Sequence, residues 1–179
     1  PELLYGLPDH VFATSSLDAL VHSVESTLSP NSTPYTRMFG YEAMKMIISG
    51  YKAVAEAGPA GSPERRAKRN ELMRDFLIAS DYAGISFDTG GCAAVHALSY
   101  QLGGKYHVPH GESNYAMFTG VLRNYMEIKP EGEILKMNQF IADILGCDVA
   151  DVYDALETLI NKLLPKKARH EYGVTEQDL

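Results

Sequence analysis

Apolar side chains recur every three or four residues along most of the chain, the spacing that gathers them on one face of an α-helix. Thr14-Ser15-Ser16, common N-cap residues, precede the first stripe and predict a helix start there. The second stripe ends at the glycine- and proline-rich segment 58–63, and a third helix is predicted after Pro63. The three stripes contain Leu17, Leu20, Val21, Val24 and Leu28; Phe39, Ala43, Met46, Ile47, Gly50 and Val54; and Leu72, Met73, Phe76, Leu77 and Ser80.

The segment Ala83–Leu102 consists mainly of small and apolar residues and carries hardly any charge. It predicts a helix that is buried on most sides and that Gly103-Gly104 ends. Further helices are predicted over about Gly111–Met126, over about 131–145 before Gly146, and over about 148–164 from Asp148. No stretch alternates apolar and polar residues as a strand does. The sequence therefore predicts an all-α, bundle-like fold, a single domain over residues 1–179 with a charged, peripheral tail from Pro165.

Composition narrows the class of protein. The 179 residues are 45% apolar and 22% charged, the usual balance of one soluble globular domain. A net charge of −7 argues against a nucleic-acid-binding surface, and no apolar run approaches the roughly 20 residues of a membrane span. With no secretory leader apparent, the two cysteines, Cys92 and Cys147, indicate reduced thiols. We therefore expect a cytoplasmic protein that contacts neither nucleic acid nor membrane.

Four side chains on three predicted helices could hold a metal ion. Asp18 and His22 are four residues apart, so both project from one helix face, and Glu25 lies nearly one turn further on. His96 lies in the apolar segment, and His110 lies at a helix start, where the partial positive charge keeps an imidazole neutral and able to bind metal. Asp18 and the three histidines would give one anionic and three neutral ligands. The alternatives are a solvated Asp18/His22 pair and a hydrogen-bonded core histidine at position 96.

Residues 17–25, LDALVHSVE, resemble the D-A-x-x-H-x-x-E helix of the iron-containing (group III) alcohol dehydrogenases. Residues 90–104, GGCAAVHALSYQLGG, together with 108–111, VPHG, resemble the signature stretch of that family, including the fourteen-residue separation of the two histidines. Members of the family have an N-terminal α/β domain that binds NAD(P) and a C-terminal helical domain that holds iron, sometimes zinc. The resemblance therefore implies an alcohol oxidoreductase with Fe²⁺, or alternatively Zn²⁺, held by Asp18, His22, His96 and His110.

Segments 95–100 and 107–118 resemble more closely the branch of that family that oxidises 4-hydroxybutyrate reversibly to succinate semialdehyde. Two other hypotheses stay open: the glycerol dehydrogenase or dehydroquinate synthase branch, which lacks the ligand at His22, and a stand-alone helical metal-binding or interaction module. No strand followed by a glycine-rich, phosphate-binding turn occurs in the sequence. The resemblance therefore implies an N-terminal nucleotide-binding domain as partner, which binds most of the NAD(P). The helical chain alone should be inactive and should expose an apolar face through which it can form a homo-oligomer.

Two residues near the motif are candidates for moving the alcohol proton. Tyr100 stands where many family members carry a second histidine, one helical turn after the first. A phenol ordinarily loses its proton only at about pH 10, so it is a poorer relay near neutrality; a core-filling aromatic is the alternative. His107, three residues before His110, is expected to handle protons or support the ligands rather than bind the metal directly.

A hydroxy-acid substrate would also need a cation for its carboxylate. Arg37 and Lys105 lie near the motifs and are candidates, with a solvated surface charge as the alternative for each. Cys92, one turn before His96, is expected to be a small packed thiol. The basic run 166–169 in the tail is expected to be solvated.

Overall fold

A computed structural model describes residues 1–175, which form eight α-helices and three short 3₁₀ turns and contain no strand. The helices are α1 (Asp9–Leu28), α2 (Pro34–Glu56), α3 (Pro63–Glu71), α4 (Met73–Gly90), α5 (Ala94–Tyr106), α6 (His110–Ile128), α7 (Glu133–Leu145) and α8 (Val152–Asn161). The 3₁₀ turns are Glu2–Leu4, Val149–Asp151 and Arg169–Tyr172. The predicted all-α fold is confirmed. None of the described helices is both long and apolar enough to cross a membrane.

Helix α1 organises the core. It packs against α2, α4 and α6, while α2 packs in turn against α4 and α7, and α5 packs against α6. The first four residues of its predicted stripe are fully buried: Leu17, Leu20, Val21 and Val24. Each such side chain stabilises the fold by roughly 2 kcal/mol relative to an exposed one. Because Asp18 and His22 lie on the same helix beside this stripe, core packing fixes their position.

Helix α1 begins at Asp9, ahead of the predicted cap at Thr14, so the prediction of its start was wrong. Inside the helix, the Thr14 hydroxyl donates to the carbonyl of His10 at 3.0 Å, and the Ser16 hydroxyl donates to the carbonyl of Phe12 at 2.7 Å. Such bonds to the preceding turn let Ser and Thr lie within a helix. The Phe12 side chain is buried, so hydrophobic packing extends the helix through residues that otherwise favour a cap.

The predicted helix over Ala83–Leu102 is two helices, so that prediction was also wrong. After α4 ends, Gly91 turns the chain with a φ of 71°, a left-handed conformation that glycine adopts readily. The Glu25 carboxylate on α1 then accepts hydrogen bonds at the start of α5 from the backbone N–H groups of Ala93 (3.1 Å), Val95 (2.7 Å) and His96 (3.4 Å). A contact from a distant helix therefore caps α5 and puts His96 in its first turn.

Helix α5 continues through Gly103-Gly104, which the sequence predicts to end it, as far as Tyr106. His107 follows with a φ of 56°, and its N–H donates to the carbonyl of Gly103 at 3.1 Å. The N–H of Val108 donates to the carbonyl of Leu102 at 3.4 Å. The bond from His107 to Gly103 forms the αL type of helix end, in which the buried Val108 side chain favours the stop at this position.

The other predicted helices are present with shifted ends. Helix α7 ends at Gly146, whose φ of 76° is typical of a C-cap glycine. The helix predicted after Pro63 is divided at Leu72 into α3 and α4. The one predicted over 148–164 begins as a 3₁₀ turn before α8.

The segment after α8 is mostly exposed, as predicted, but two ion pairs tie it to the helices. The ammonium of Lys166 lies 2.5 Å from the Glu157 carboxylate of α8. The ammonium of Lys167 donates to the Glu112 carboxylate of α6 at 2.8 Å, and Glu112 is only 4% exposed. These lysines, expected to be solvated, therefore hold the segment against α6 and α8. The final residues of the predicted tail, 176–179, lie outside the described residues.

A substitution at Gly111 can test whether α6 approaches α1 closely. A Cβ at this position would overlap the Thr14 carbonyl on α1, so we expect Gly111→Ala to lower the free energy of unfolding by about 2 kcal/mol. Gly120 lies in the same helix with open space around its Cβ, and Gly120→Ala should leave stability unchanged or raise it by up to about 1 kcal/mol. Urea unfolding measures both variants. Equal effects would contradict the close approach.

The pH dependence of stability can test whether the Glu157 carboxylate holds the tail against α8. Burial raises the pKa of Glu157, but hydrogen bonds from Lys166 and Thr119, with the charge of Lys166, outweigh it and lower the pKa below its ordinary value. The stabilisation is therefore present above the unfolded-state pKa of about 4.3 and is lost as the pH falls through the lower folded-state pKa. We expect Glu157→Gln to lower the free energy of unfolding by about 1 kcal/mol near neutral pH and to have no effect in strong acid.

Urea unfolding at several pH values checks this expectation. The exposed Glu127→Gln on α6 serves as the matched control. A deficit of the Glu157 variant that does not change with pH would mean that charge is not the cause of the stabilisation.

Candidate metal centre

Three helices bring the four predicted ligands together beside the core. Helix α1 contributes Asp18 and His22, α5 contributes His96 from its first turn, and α6 contributes His110 as its first residue. Helix α6 packs against both α1 and α5. The ligands are therefore held by packed helices rather than by a loop.

The Asp18 carboxylate lies among the three histidines. Its Oδ1 is 3.5 Å from Nε2 of His96 and 3.3 Å from Nε2 of His110, and its Oδ2 is 3.7 Å from Nδ1 of His22. Ligand atoms of Asp18, His96 and His110 all lie within 4.8 Å of one another. The His22 ring stacks on the His96 ring with 4.5 Å between centroids. A carboxylate and imidazoles gathered in this way are ligands that Fe²⁺ and Zn²⁺ accept.

Glu25 orients His96 from behind. Its carboxylate is 2% exposed and lies 2.6 Å from Nδ1 of His96. Burial raises the pKa of Glu25, but the bonds from His96, Ala93 and Val95 outweigh it and keep the pKa below its ordinary value. Because the ionised carboxylate accepts the Nδ1 proton, Nε2 of His96 is the nitrogen left to bind a metal ion, and it faces Asp18 and His110.

Electrostatics set the protonation states of the proposed ligands before an ion binds. For Asp18, burial raises the pKa, but the hydrogen bond to His96 and the nearby histidine charges lower it by more. The pKa therefore lies below its ordinary value, and the group is a carboxylate at neutral pH. For His22, burial lowers the pKa, which keeps the ring neutral. For His96, burial lowers the pKa, but Asp18 and Glu25 raise it to about 9. A metal ion would therefore displace a proton from His96.

Asn114 tests whether the residues of the ligand set fit a cation. This fully buried residue lies one turn after His110, and its Nδ2 is 2.7 Å from Oδ1 of Asp18, 3.1 Å from Nε2 of His96 and 3.3 Å from Nε2 of His110. Its Oδ1 is buried without a hydrogen-bond partner among the described residues. When both Nε2 atoms are unprotonated, as metal ligands are, three acceptors converge on one amide that has only two protons to donate. The residues present therefore fit a divalent cation.

Tyr100 lies on the exposed side of the site. The Tyr100 ring is 60% exposed and stacks on the His110 ring with 6.0 Å between centroids. It also meets the His96 ring edge-on at 6.4 Å, so it is not a core-filling side chain. His107 is exposed and belongs to neither group of candidate ligands that the described residues bring together.

The two predicted substrate cations are not part of this cluster. Arg37 donates to the carbonyl of Thr27 at 3.2 Å, near the C-terminal end of α1. Lys105 lies in the last turn of α5, where its ammonium is 5.3 Å from the centroid of the Tyr106 ring. Cys92 is exposed in the turn before α5, so the prediction that it is packed was wrong.

Sequence reasoning missed two residues of the site. Glu25 was expected on the same helix face as Asp18, but its role as the partner of His96 depends on a contact between residues 71 apart. Asn114 was not selected at all. The signal that could have found it is its position four residues after His110, the same spacing that pairs Asp18 with His22.

Comparison with known proteins decides the family. Residues 12–179 match the family model described as the C-terminal part of the Fe-containing alcohol dehydrogenase family. This chain belongs to the Fe-containing alcohol dehydrogenase family. The resemblance of the two motifs to that family is confirmed.

Two relatives align with nearly the whole chain, but the chain spans less than half of the length of each relative. It is 47% identical over 179 residues to 4-hydroxybutyrate dehydrogenase of Clostridium kluyveri and spans 46% of that protein. It is 28% identical to 1,3-propanediol dehydrogenase of Citrobacter freundii over 99% of the chain and 45% of that protein. The rest of each relative has no counterpart in this sequence.

Solved structures of the family share the fold of this chain. A crystal structure of 1,3-propanediol oxidoreductase is 26% identical and superposes with a TM-score of 0.76, covering 97% of this chain and 44% of that one. The structure of sulfoacetaldehyde reductase from Bifidobacterium kashiwanohense in complex with NAD⁺ superposes with a TM-score of 0.77 at 23% identity, covering 99% and 44%. The fold of this chain therefore corresponds to somewhat less than half of each compared structure.

Glu25 can be tested as the residue that orients His96. The Glu25→Gln substitution keeps the size of the side chain but removes the charge that accepts the Nδ1 proton, so we expect metal affinity to fall by about 10- to 100-fold. Titration with Zn²⁺ against a chromophoric chelator measures the affinity. The exposed Glu42→Gln on α2 should bind as the unmodified chain does. Equal affinities for the two variants would remove Glu25 from this role.

Proposed function

We propose that this chain is the metal-binding helical domain of an NAD(P)-dependent alcohol dehydrogenase that holds Fe²⁺, or alternatively Zn²⁺. We further propose that the substrate is 4-hydroxybutyrate, oxidised reversibly to succinate semialdehyde. The observation that carries the proposal is the convergence of one carboxylate and three imidazoles on α1, α5 and α6. The 47% identity to a 4-hydroxybutyrate dehydrogenase over the whole chain supports the substrate.

The proposed ligands are Asp18, His22, His96 and His110. When bound, the ion would supply Lewis acidity to the substrate oxygen, and NAD(P), bound mainly by an N-terminal nucleotide-binding domain, would take the hydride. That domain is the proposed partner of this chain. A stand-alone metal-binding or interaction module is the weaker hypothesis, because the relatives that match this chain over its whole length are dehydrogenases.

Residues of the chain itself would prepare and support the site. Asp18 would supply the one negative charge among the ligands, and Glu25 would keep the His96 tautomer that presents Nε2. Asn114 would donate to Oδ1 of Asp18 and so hold its carboxylate plane, the bond having a length of 2.7 Å. These contacts orient the ligands before an ion arrives, which lowers the entropic cost of binding it.

Tyr100 is the candidate for passing the alcohol proton to solvent. Its ring lies against His110 and most of its surface is exposed, so it would bridge the ligand cluster and water. His107 is exposed nearby in sequence and remains a second candidate for proton handling. Lys105 remains the candidate for the substrate carboxylate, whereas Arg37 is engaged with the end of α1.

Metal content after anaerobic loading tests the ligand set. We expect one equivalent of Fe²⁺ or Zn²⁺ in the purified chain and loss of that ion in His96→Ala, because removal of His96 takes away the ligand that Glu25 orients. The exposed His170→Ala should keep the full equivalent. Retention of the ion by His96→Ala would contradict the proposed site.

The branch of the family can be tested with His22 and with substrates. If four residues hold the ion, His22→Ala should weaken metal binding at least about tenfold; unchanged binding would favour the glycerol dehydrogenase or dehydroquinate synthase branch. In the protein that carries the nucleotide-binding domain, reduction of NAD⁺ or NADP⁺ should be faster with 4-hydroxybutyrate than with glycerol. Faster reduction with glycerol would contradict the proposed substrate.

A further inference from the structure

Cys92 lies beside two of the proposed ligands. The sulfur of Cys92, a ring nitrogen of His22 and a ring nitrogen of His96 all lie within 4.8 Å of one another. Cys92 follows Gly91, whose left-handed backbone turns the chain between α4 and α5. The turn thus brings the thiol to the histidines, although sequence alone favours a packed position.

The two histidines are held in place without the help of Cys92. Their rings stack at 4.5 Å with 21° between the planes, and the other side of His22 meets the Phe87 ring at 4.7 Å. Glu25 fixes Nδ1 of His96. The positions of these nitrogens are therefore set by the fold, and the thiol faces an existing pair of imidazoles.

We propose that His22, Cys92 and His96 form a second ligand set, which binds a thiophilic divalent ion such as Zn²⁺ or Co²⁺ in place of the set that contains Asp18 and His110. Two imidazoles and one thiolate form a set of the kind found in tetrahedral zinc sites, where water or substrate takes the fourth position. Thiolate ligands favour Zn²⁺ over the harder Fe²⁺, whereas a carboxylate favours the harder ion.

Binding to this set exchanges a proton for a metal ion and involves no redox step. The metal–sulfur bond forms, the thiol S–H bond breaks, and the proton leaves to solvent. The negatively charged Glu25 and Asp18 lie near the Cys92 thiol. The same negative charges attract a cation to this position.

The two ligand sets cannot be filled together. Both use His96, and the proposed function also uses His22, so an ion on the thiolate set would withdraw two ligands from the other site. The inference shares these histidines with the proposed function but does not need Asp18 or His110. Its consequence is a choice between two ion positions that depends on which metal is supplied.

Co²⁺ titration of the full chain distinguishes the two sets. Co²⁺ bound by a thiolate shows a sulfur-to-metal charge-transfer band in the near ultraviolet, whereas oxygen and nitrogen ligands give only the visible ligand-field bands. We expect the charge-transfer band in the unmodified chain, in Cys147→Ser and in Asp18→Ala, and its loss in Cys92→Ser. Cys147 is the matched control because it is the second of the two cysteines and lies after α7.

Each outcome decides the inference. Cobalt bound with visible bands but no charge-transfer band would overturn it and leave the proposed function standing. A charge-transfer band that persists in Cys92→Ser would also overturn it. Absence of any Co²⁺ binding by the unmodified chain would overturn this inference, and the Fe²⁺ content after anaerobic loading would then decide the proposed function separately. Because Cys92 is exposed, its serine variant should unfold in urea as the unmodified chain does, which separates loss of a ligand from loss of the fold.

Discussion

The buried carboxylate of Glu25 is the contact on which the candidate metal centre depends. It accepts the backbone N–H groups that begin α5 and also holds Nδ1 of His96. A carboxylate removed from water to this extent stays ionised only because several donors stabilise its charge. Since four of the five stripe residues of α1 are fully buried, Glu25 has a fixed position, and α5 begins where that position requires. The geometry of a ligand on α5 therefore follows from the core packing of α1.

The site gathers acceptors that repel one another unless a positive group lies among them. Oδ1 of Asp18 and Nε2 of both His96 and His110 point to a shared region around the Asn114 amide, which can donate two protons. A partly satisfied polar network is costly in a region of low dielectric constant. A divalent cation would satisfy all three acceptors at once.

The ligand cluster has a buried side, which fixes the positions of the ligands, and an exposed side, which solvent reaches. His96, Glu25 and Asn114 are buried and set the geometry. Tyr100 is largely exposed, and His110 is 46% exposed next to it, so reactants can approach from that side. Cys92 is exposed on the turn that leads into α5 and adds a soft ligand to a cluster of harder ones. Which of these neighbours completes the coordination of His22 and His96 would then depend on the softness of the ion.

The sequence by itself determined the helical class and most of the helices, because an apolar repeat of three to four residues reports directly which face a helix buries. It also indicated Asp18, His22, His96 and His110, the first two through their spacing and all four through motifs shared with a family. It missed the break before α5, because the group that caps that helix is 68 residues or more away along the chain. The partnership of Glu25 with His96, the position of Asn114 and the exposure of Cys92 likewise came only from the tertiary structure. Residue spacing along the chain indicates which side of a helix faces the core. Which donors and acceptors contact one another there depends on the packing of helices that are distant in sequence.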